Sequence, residues 1–279
     1  MTELPSHHPT LVLRPTMALS WQDIRDIWAY RELLWILALR DVRVRYKQAS
    51  LGIVWALLQP LTQMVVFTVL FNRLAGLRSE GAVSYSVFCL AGLTVWGLFA
   101  NGLALASESL LSSANLVTKV YFPRVLIPLA TILTAVVDCA IAGLLLVGLM
   151  ILQHVPFHAT VLLAVPIAGI AALCAASLGL WAAAINLEYR DVRYALPFLI
   201  QILVYVTPVF YSASVVPEKY RWLLGLNPMV AVVNGFRAAM FGTPIPFAPL
   251  GLALAMSMLV GLIGFIHFRH LEQTFADRI

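Results

Sequence analysis

Six stretches of the chain stay apolar for long enough to cross a bilayer, and the charged residues gather between them. A helix rises about 1.5 Å per residue, so about 20 consecutive apolar residues span a hydrocarbon core about 30 Å thick. Runs of that order occur at 51–74, 85–106, 125–152, 161–187, 194–211 and 247–268. Each predicts a membrane helix, and together they predict an all-α membrane protein whose permease domain covers 48–279. Residues 1–20 carry Pro5, Pro9 and Pro15 and read as an extended or disordered leader. Ser20 then offers an N-cap for a helix over 21–47 that is too charged to enter the membrane. Within it Trp21, Trp28, Trp35 and Val42 recur every seven residues and stack into one slowly drifting stripe. With Arg25, Arg31, Arg40, Arg43, Arg45 and Lys47 beside that stripe, the pattern suits a helix lying in the plane of the inner leaflet. An amphipathic helix packed on a partner subunit fits it equally well.

The fourth span has a ladder of small residues. Ala164, Ala168, Ala172 and Ala176 lie four apart, and Ala171, Ala175, Gly179 and Ala183 form an adjacent row. Small residues at that interval let helix backbones approach closely, which predicts ordinary packing here rather than a dimer seam. The segment 211–247 is unlike a plain loop. Pro217 is placed to open a short helix through Leu226, Asn227 to cap a second beginning at Pro228, and Gly242 to stop it. The expected result is an outer re-entrant or interfacial hairpin, acting either as a gate over a path or as a cap on the helix ends.

Charge fixes the expected orientation. The segment before the first span holds seven Lys and Arg, and the 107–124 loop, the 187–193 loop and the C-terminal tail hold two each. The opposite loops hold five, among them Arg73, Arg78, Lys219, Arg221 and Arg237. Excess positive charge marks the cytoplasmic side, so both termini are expected there. The same topology and anionic lipid account for the net charge of +5, and nucleic acid is not an expected partner. Cys89, Cys139 and Cys174 each fall inside a predicted span, which argues against disulfides and structural zinc. The start, Met1-Thr2-Glu3-Leu4-Pro5, lacks the pattern of a cleavable signal, so the first span is expected to direct insertion.

Catalytic hardware is sparse. The sequence has no Gly-x-x-x-x-Gly-Lys-Ser/Thr phosphate loop, no His-Glu-x-x-His and no Gly-x-Ser-x-Gly, and its only lysines are Lys47, Lys119 and Lys219. No metal or cofactor is expected on this chain, and no catalytic residue is assigned. Asp138 lies well inside the third span, where an ionisable group is costly and a functional candidate by default; it serves either as a required charge or as a hydrogen-bonding tie between helices. Gln59, Gln63, Asn101 and Gln201 are likewise interhelical ties or the lining of a polar path. The loops at 115–124 and 186–193 mix aromatics with charge, the anatomy of an interface anchor that buries Tyr or Phe in a partner's cleft.

The runs Leu-Arg-Asp-Val-Arg-Val-Arg-Tyr-Lys-Gln at 39–48 and Leu-Gly-Ile-Val-Trp-Ala-Leu-Leu-Gln-Pro at 51–60 resemble the opening signature of type-2 ABC exporter permeases that move polysaccharides. The resemblance continues through Thr118-Lys119-Val120-Tyr121-Phe122-Pro123-Arg124, Glu188-Tyr189-Arg190-Asp191-Val192-Arg193 and Leu226-Asn227-Pro228-Met229. Permeases for O-antigen, capsule and teichoic acid share these motifs. What the resemblance implies is a half-transporter in the bacterial inner membrane: two copies of this chain, two copies of a separate ATP-binding subunit that holds ATP and Mg, and a lipid-linked polysaccharide as cargo. By the same resemblance, Thr118, Lys119, Tyr121, Phe122, Pro123, Arg124, Glu188, Tyr189, Arg190 and Asp191 would couple to the ATPase. Pro217, Tyr220, Asn227 and Pro228 would belong to the outer gate. Aromatic faces stack on sugar rings, which makes Phe67, Phe71, Trp96, Phe99 and Tyr205 candidates for the path. Arg40, Arg43, Arg45 and Lys47 are placed for the lipid phosphates at the inner surface, or for phospholipid headgroups. The alternatives are a permease of the same fold for a drug or small lipid, and a stand-alone membrane transferase acting on lipid-linked sugars.

Overall fold

The computed structural model describes residues 25, 27–47, 53–76, 83–120, 122–189 and 191–272. The leader at 1–20 and Trp21 lie outside the described residues. Among the described residues every regular element is helical. Helix α1 spans Arg31–Lys47. Helix α2, Ile53–Phe67, continues through a wider turn, Thr68–Leu74. Next come α3, Tyr85–Ser112, and the short α4, Ala114–Lys119. Helix α5 covers Leu126–Leu152, and α6, Ala164–Glu188, follows a tight turn at Ala159–Leu163. Helix α7 is Val192–Val206, and α8, Glu218–Leu224, meets α9, Pro228–Phe241, at a bend of 98°. Helix α10, Phe247–Glu272, closes the described chain.

Helix α3 is the axis of the bundle. Of its most apolar stretch 78% is buried, against 6% for α2, so α3 is a core helix and α2 a peripheral one. Helices α5, α6 and α9 surround α3. The second of the two small-residue rows on α6 makes the seam: Ala171, Ala175, Gly179 and Ala183 are all buried, whereas Ala168, Ala172 and Ala176 are only half-buried. A Cβ on Gly179 would stand 2.6 Å from that of Ala106, and one on Gly102 would stand 3.1 Å from that of Ala175. Such contacts set the α3–α6 separation by backbone approach, in keeping with small residues packing helices in lipid. Helix α10 lies on the other side of α6, where the Ser177 hydroxyl donates to the Ser257 carbonyl at 2.8 Å.

Three expectations change. The fifth predicted span, 194–211, stops as a helix at Val206. Fifteen residues reach only about 22 Å, short of the hydrocarbon thickness. The reason is local: Pro208 disfavours helical geometry in the residue before it, and Thr207 is extended at φ −86° and ψ 133°. The apolar run of Val209 and Phe210 nevertheless stays buried, so hydropathy alone cannot see the break. Second, the two helices expected over 217–242 do form, meeting at a bend of 98°, but the second is largely buried. Ten of the fourteen residues of α9 are buried among α3, α6 and α10. Asn227 caps α9 by accepting from the Met229 amide at 3.0 Å, and Gly242, with φ +71°, ends it in the left-handed conformation that glycine tolerates. Third, α1 packs on this chain itself, where packing on a partner subunit was one of the two expectations. Its Leu33, Leu34, Leu37 and Ala38 pack on Leu116, Ala130 and Leu133, and its far end reaches Asp138, so it climbs along α5. The tryptophan stripe faces away from this contact, with Trp28 and Trp35 both exposed.

Candidate transport cavity and coupling face

A cavity of about 490 Å³ lies between the end of α1 and helices α2, α3, α5 and α7. Its walls are stripes of residues four apart, which fall on one face of a helix. Helix α2 contributes Trp55, Gln59, Gln63 and Phe67; α7 contributes Pro197, Gln201 and Tyr205. Helix α3 adds Trp96 and Asn101. The four intramembrane amides noted in the sequence therefore converge on one space. Of the five aromatic candidates, Phe67, Trp96 and Tyr205 line it. Phe99 is instead buried behind Trp96, its ring centroid 5.3 Å away. Phe71 sits beyond the cavity in an aromatic stack.

That stack borders one end of the cavity, and the wall residues Phe67 and Tyr205 belong to both. Phe210, Phe67 and Phe71 form a triangle of rings, with Phe210 at centroid distances of 4.6 and 4.9 Å from the other two and those two 5.8 Å apart, and Tyr205 meets Phe210 edge-on at 5.5 Å. Phe210 belongs to the non-helical stretch after α7, whose backbone groups need partners where water is scarce. Arg237 of α9 supplies them. Its guanidinium donates to the carbonyls of Phe88 at 3.2 Å, Pro208 at 2.7 Å and Val209, and stacks on the Phe88 ring 3.6 Å from the centroid. Arg237 is 5% exposed, so counting it with the outer loop charges is corrected here. The Asn227 amide donates to the Thr207 hydroxyl at 2.8 Å, and the Tyr85 hydroxyl to the Phe210 carbonyl. Of the outer-gate candidates, Asn227 and Pro228 sit half-buried at the start of α9, while Pro217 and Tyr220 are exposed on or beside α8.

The opposite mouth is polar. Asp138 of α5 is paired with Arg45 of α1 at 2.6 Å and accepts from the Tyr46 hydroxyl. Burial, then the bond to Asp138, pushes the Tyr46 phenol above its ordinary value, which keeps it protonated as the donor. The intramembrane carboxylate is thus compensated by the helix that precedes the first span. Arg45 is held by this pair, and Arg40 pairs with Asp41 at 2.8 Å, while Arg43 and Lys47 are exposed.

The two charged loops meet at the α4 end. Val117 and Phe122 share an apolar cluster with Leu110, Leu187, Phe268 and Leu271. Phe122 is 5% exposed, so it packs in this chain's own core instead of serving as an anchor for a partner's cleft. Arg124 donates its main-chain N–H to a Glu272 carboxylate oxygen at 3.2 Å and its guanidinium to the Glu272 carbonyl at 2.6 Å, tying the loop to α10. Pro123 is half-buried. The exposed groups are Thr118, Lys119, Glu188, Tyr189 and Asp191. Tyr121 and Arg190 lie outside the described residues.

The sequence profile of the family described as ABC-2 type transporter matches residues 32–241, which takes in α1 to α9, the cavity and both loops. The chain belongs to the ABC-2 type transporter family. Among relatives of this ABC-2 permease, an O-antigen export system permease protein from Myxococcus xanthus is 26% identical over 261 residues, covering 92% of this chain and 98% of the relative. One of the same name from Klebsiella pneumoniae is 22% identical over 247 residues, covering 88% and 94%. The polysialic acid transport protein KpsM of Escherichia coli is 24% identical over 239 residues, covering 85% and 92%. Helix α10 lies beyond the matched region of the ABC-2 permease, yet it supplies Phe268 and Glu272 to the loop cluster.

Proposed function

We propose that the chain is the membrane-spanning half of an ATP-driven exporter that moves a lipid-linked polysaccharide of O-antigen type across the bacterial inner membrane. The observation that carries this reading is the cavity, in which four amides and the rings of Trp55, Phe67, Trp96 and Tyr205 converge. Amides exchange hydrogen bonds with hydroxyls, and aromatic faces stack on the apolar faces of sugars. The names of the relatives point the same way.

Two copies of the chain form the path. Helices α2 and α7 flank the cavity and leave apolar faces exposed, among them Val54, Leu58 and Val66 on α2 and Phe198, Ile202 and Val206 on α7. A second copy related by a two-fold axis brings the same faces together. Two ATP-binding subunits, carrying ATP and Mg, dock on the cytoplasmic side against Thr118, Lys119, Glu188, Tyr189 and Asp191. Both termini lie on that side, where Arg43 and Lys47 meet the phosphates of the lipid carrier.

The test is co-purification of a tagged copy with an ATP-binding partner, followed by ATPase assay in nanodiscs with and without lipid-linked glycan. A two-plus-two complex whose hydrolysis rises with glycan is the expected result. A complex indifferent to glycan sinks the cargo assignment, and a chain that purifies alone sinks the exporter reading.

A further inference from the structure

We infer that the exported glycan carries no net charge in its repeating unit, a conclusion that rests on the exporter reading above. The basis is the chemistry of the walls. No Asp, Glu, Lys or Arg occurs at 53–72 on α2, at 85–107 on α3 or at 194–210 on and after α7. On α5 the stretch 125–153 holds Asp138 alone. Among the residues lining the cavity, the charged ones are Asp138 and Arg45, and they neutralise each other at 2.6 Å. The other polar side chains there are uncharged: amides, hydroxyls, the indole N–H groups of Trp55 and Trp96 and the Cys139 thiol.

These groups suit hydroxyls and do not suit fixed charges. Gln59, Gln63, Asn101 and Gln201 offer both donors and acceptors, which matches sugar hydroxyls that also do both. A polymer with a carboxylate or phosphate in every repeat would bring several negative charges at once into a crossing about 30 Å long. Charges at that depth are costly unless the protein pairs them, and these walls offer no cation that is not already engaged by Asp138. A second copy does not change the balance, because symmetry contributes the same uncharged faces of α2 and α7. The negative charge of the cargo is therefore confined to its lipid end, where Arg43 and Lys47 stand exposed outside the cavity. On this ground the relative named for polysialic acid, a polyanion, is a guide to the fold and not to the cargo.

A matched pair of polymers tests the inference in proteoliposomes holding the permease with its ATP-binding partner. One is a hexose polymer on polyprenyl diphosphate; the other is a hexuronic acid polymer of equal length on the same lipid, differing by one carboxylate per ring. The hexose polymer is expected to reach the far side at least about tenfold faster, since a tenfold ratio needs only a small difference in barrier. A Gln63→Lys, Gln201→Lys variant, which places cations on both facing stripes, is expected to narrow that ratio. Equal or faster movement of the uronic acid polymer overturns the inference while leaving the exporter reading standing. Movement of neither polymer by a complex that still hydrolyses ATP overturns both.

Discussion

Replacing Arg237 with methionine tests the anchor that holds the end of α7. The substitution keeps most of the apolar stem and removes every donor. Phe88 lies within the continuous helix α3, so its carbonyl retains the helical partner, whereas the Pro208 and Val209 carbonyls each lose a donor. Two orphaned buried acceptors cost about 1–3 kcal/mol each, and loss of the guanidinium over Phe88 adds about 1 kcal/mol. Relief of a buried charge offsets part of this, leaving a net loss of about 3 kcal/mol. At about 2–4 °C per kcal/mol for a chain of this class, the melting temperature falls by about 6–12 °C. Tryptophan fluorescence on the detergent-solubilised protein reads that shift, with Arg237→Lys expected between methionine and wild type. Gly92→Ala attacks the same joint from the other side, because its Cβ would press on the Val209 carbonyl and stand 2.5 Å from the Arg237 guanidinium. A methionine variant melting within about 2 °C of wild type, less than 1 kcal/mol, would refute the anchoring argument.

Removing Asp138 as Asn and Arg45 as Gln, singly and together, is expected to give a coupling energy of about 1 kcal/mol in melting experiments, modest because the arginine is partly exposed; strict additivity would show that the pair holds nothing. Phe122→Ala is expected to lose about 3 kcal/mol of stability, as for a core phenylalanine, while Tyr189→Ala leaves stability within about 0.5 kcal/mol and lowers glycan-stimulated ATP hydrolysis. The reverse pattern, a stable Phe122 variant and an unstable Tyr189 variant, would exchange their roles. Gly242→Ala, forced to keep φ at +71° against the His158 ring, is expected to cost about 1–3 kcal/mol, and a wild-type melting curve would show that the α9 stop can shift.

The helices were legible because lipid demands long apolar runs, and five of the six predicted spans are found close to their expected limits. The cavity was half legible. Trp55, Gln59, Gln63 and Phe67 at four-residue spacing mark one face of α2, but a single sequence does not say which faces of α2, α3 and α7 meet. What misled was non-local. Arg237 reads as a loop charge until Phe88 and Val209, 149 and 28 residues away, bring their carbonyls to it. Asp138 reads as an isolated intramembrane acid until Tyr46, 92 residues earlier, is packed against it. Phe122 sits in a charged loop that resembles an exposed anchor, and it is buried in a cluster drawn from distant parts of the chain, Leu110, Leu187 and Phe268 among them. One local signal was available and overridden: Thr207-Pro208 is a break by backbone sterics, masked by the apolar residues on either side.

Both ends of the cavity are set by pieces of chain that do not themselves span the bundle. At one end α1 holds Arg45 and Tyr46 on Asp138; at the other, Thr207 to Phe210 seats an aromatic ring against two others. Leu116 of α4 packs in the same cluster as Leu37 and Ala38 of α1, so α4 and the helix that bears the polar mouth share one apolar contact. Side chains in such a contact are close-packed, and a displacement of α4 is passed to α1 instead of being absorbed. The far end is reached differently, through α7, which begins beside Asp191 in the charged loop and ends at the Thr207 break. A force on the surface that carries Thr118, Lys119 and Asp191 would therefore have a short route to each end of the cavity, one through α1 and one through α7. The walls between them, on α3 and α5, belong to the part of the bundle that the small-residue seam of α6 holds fixed.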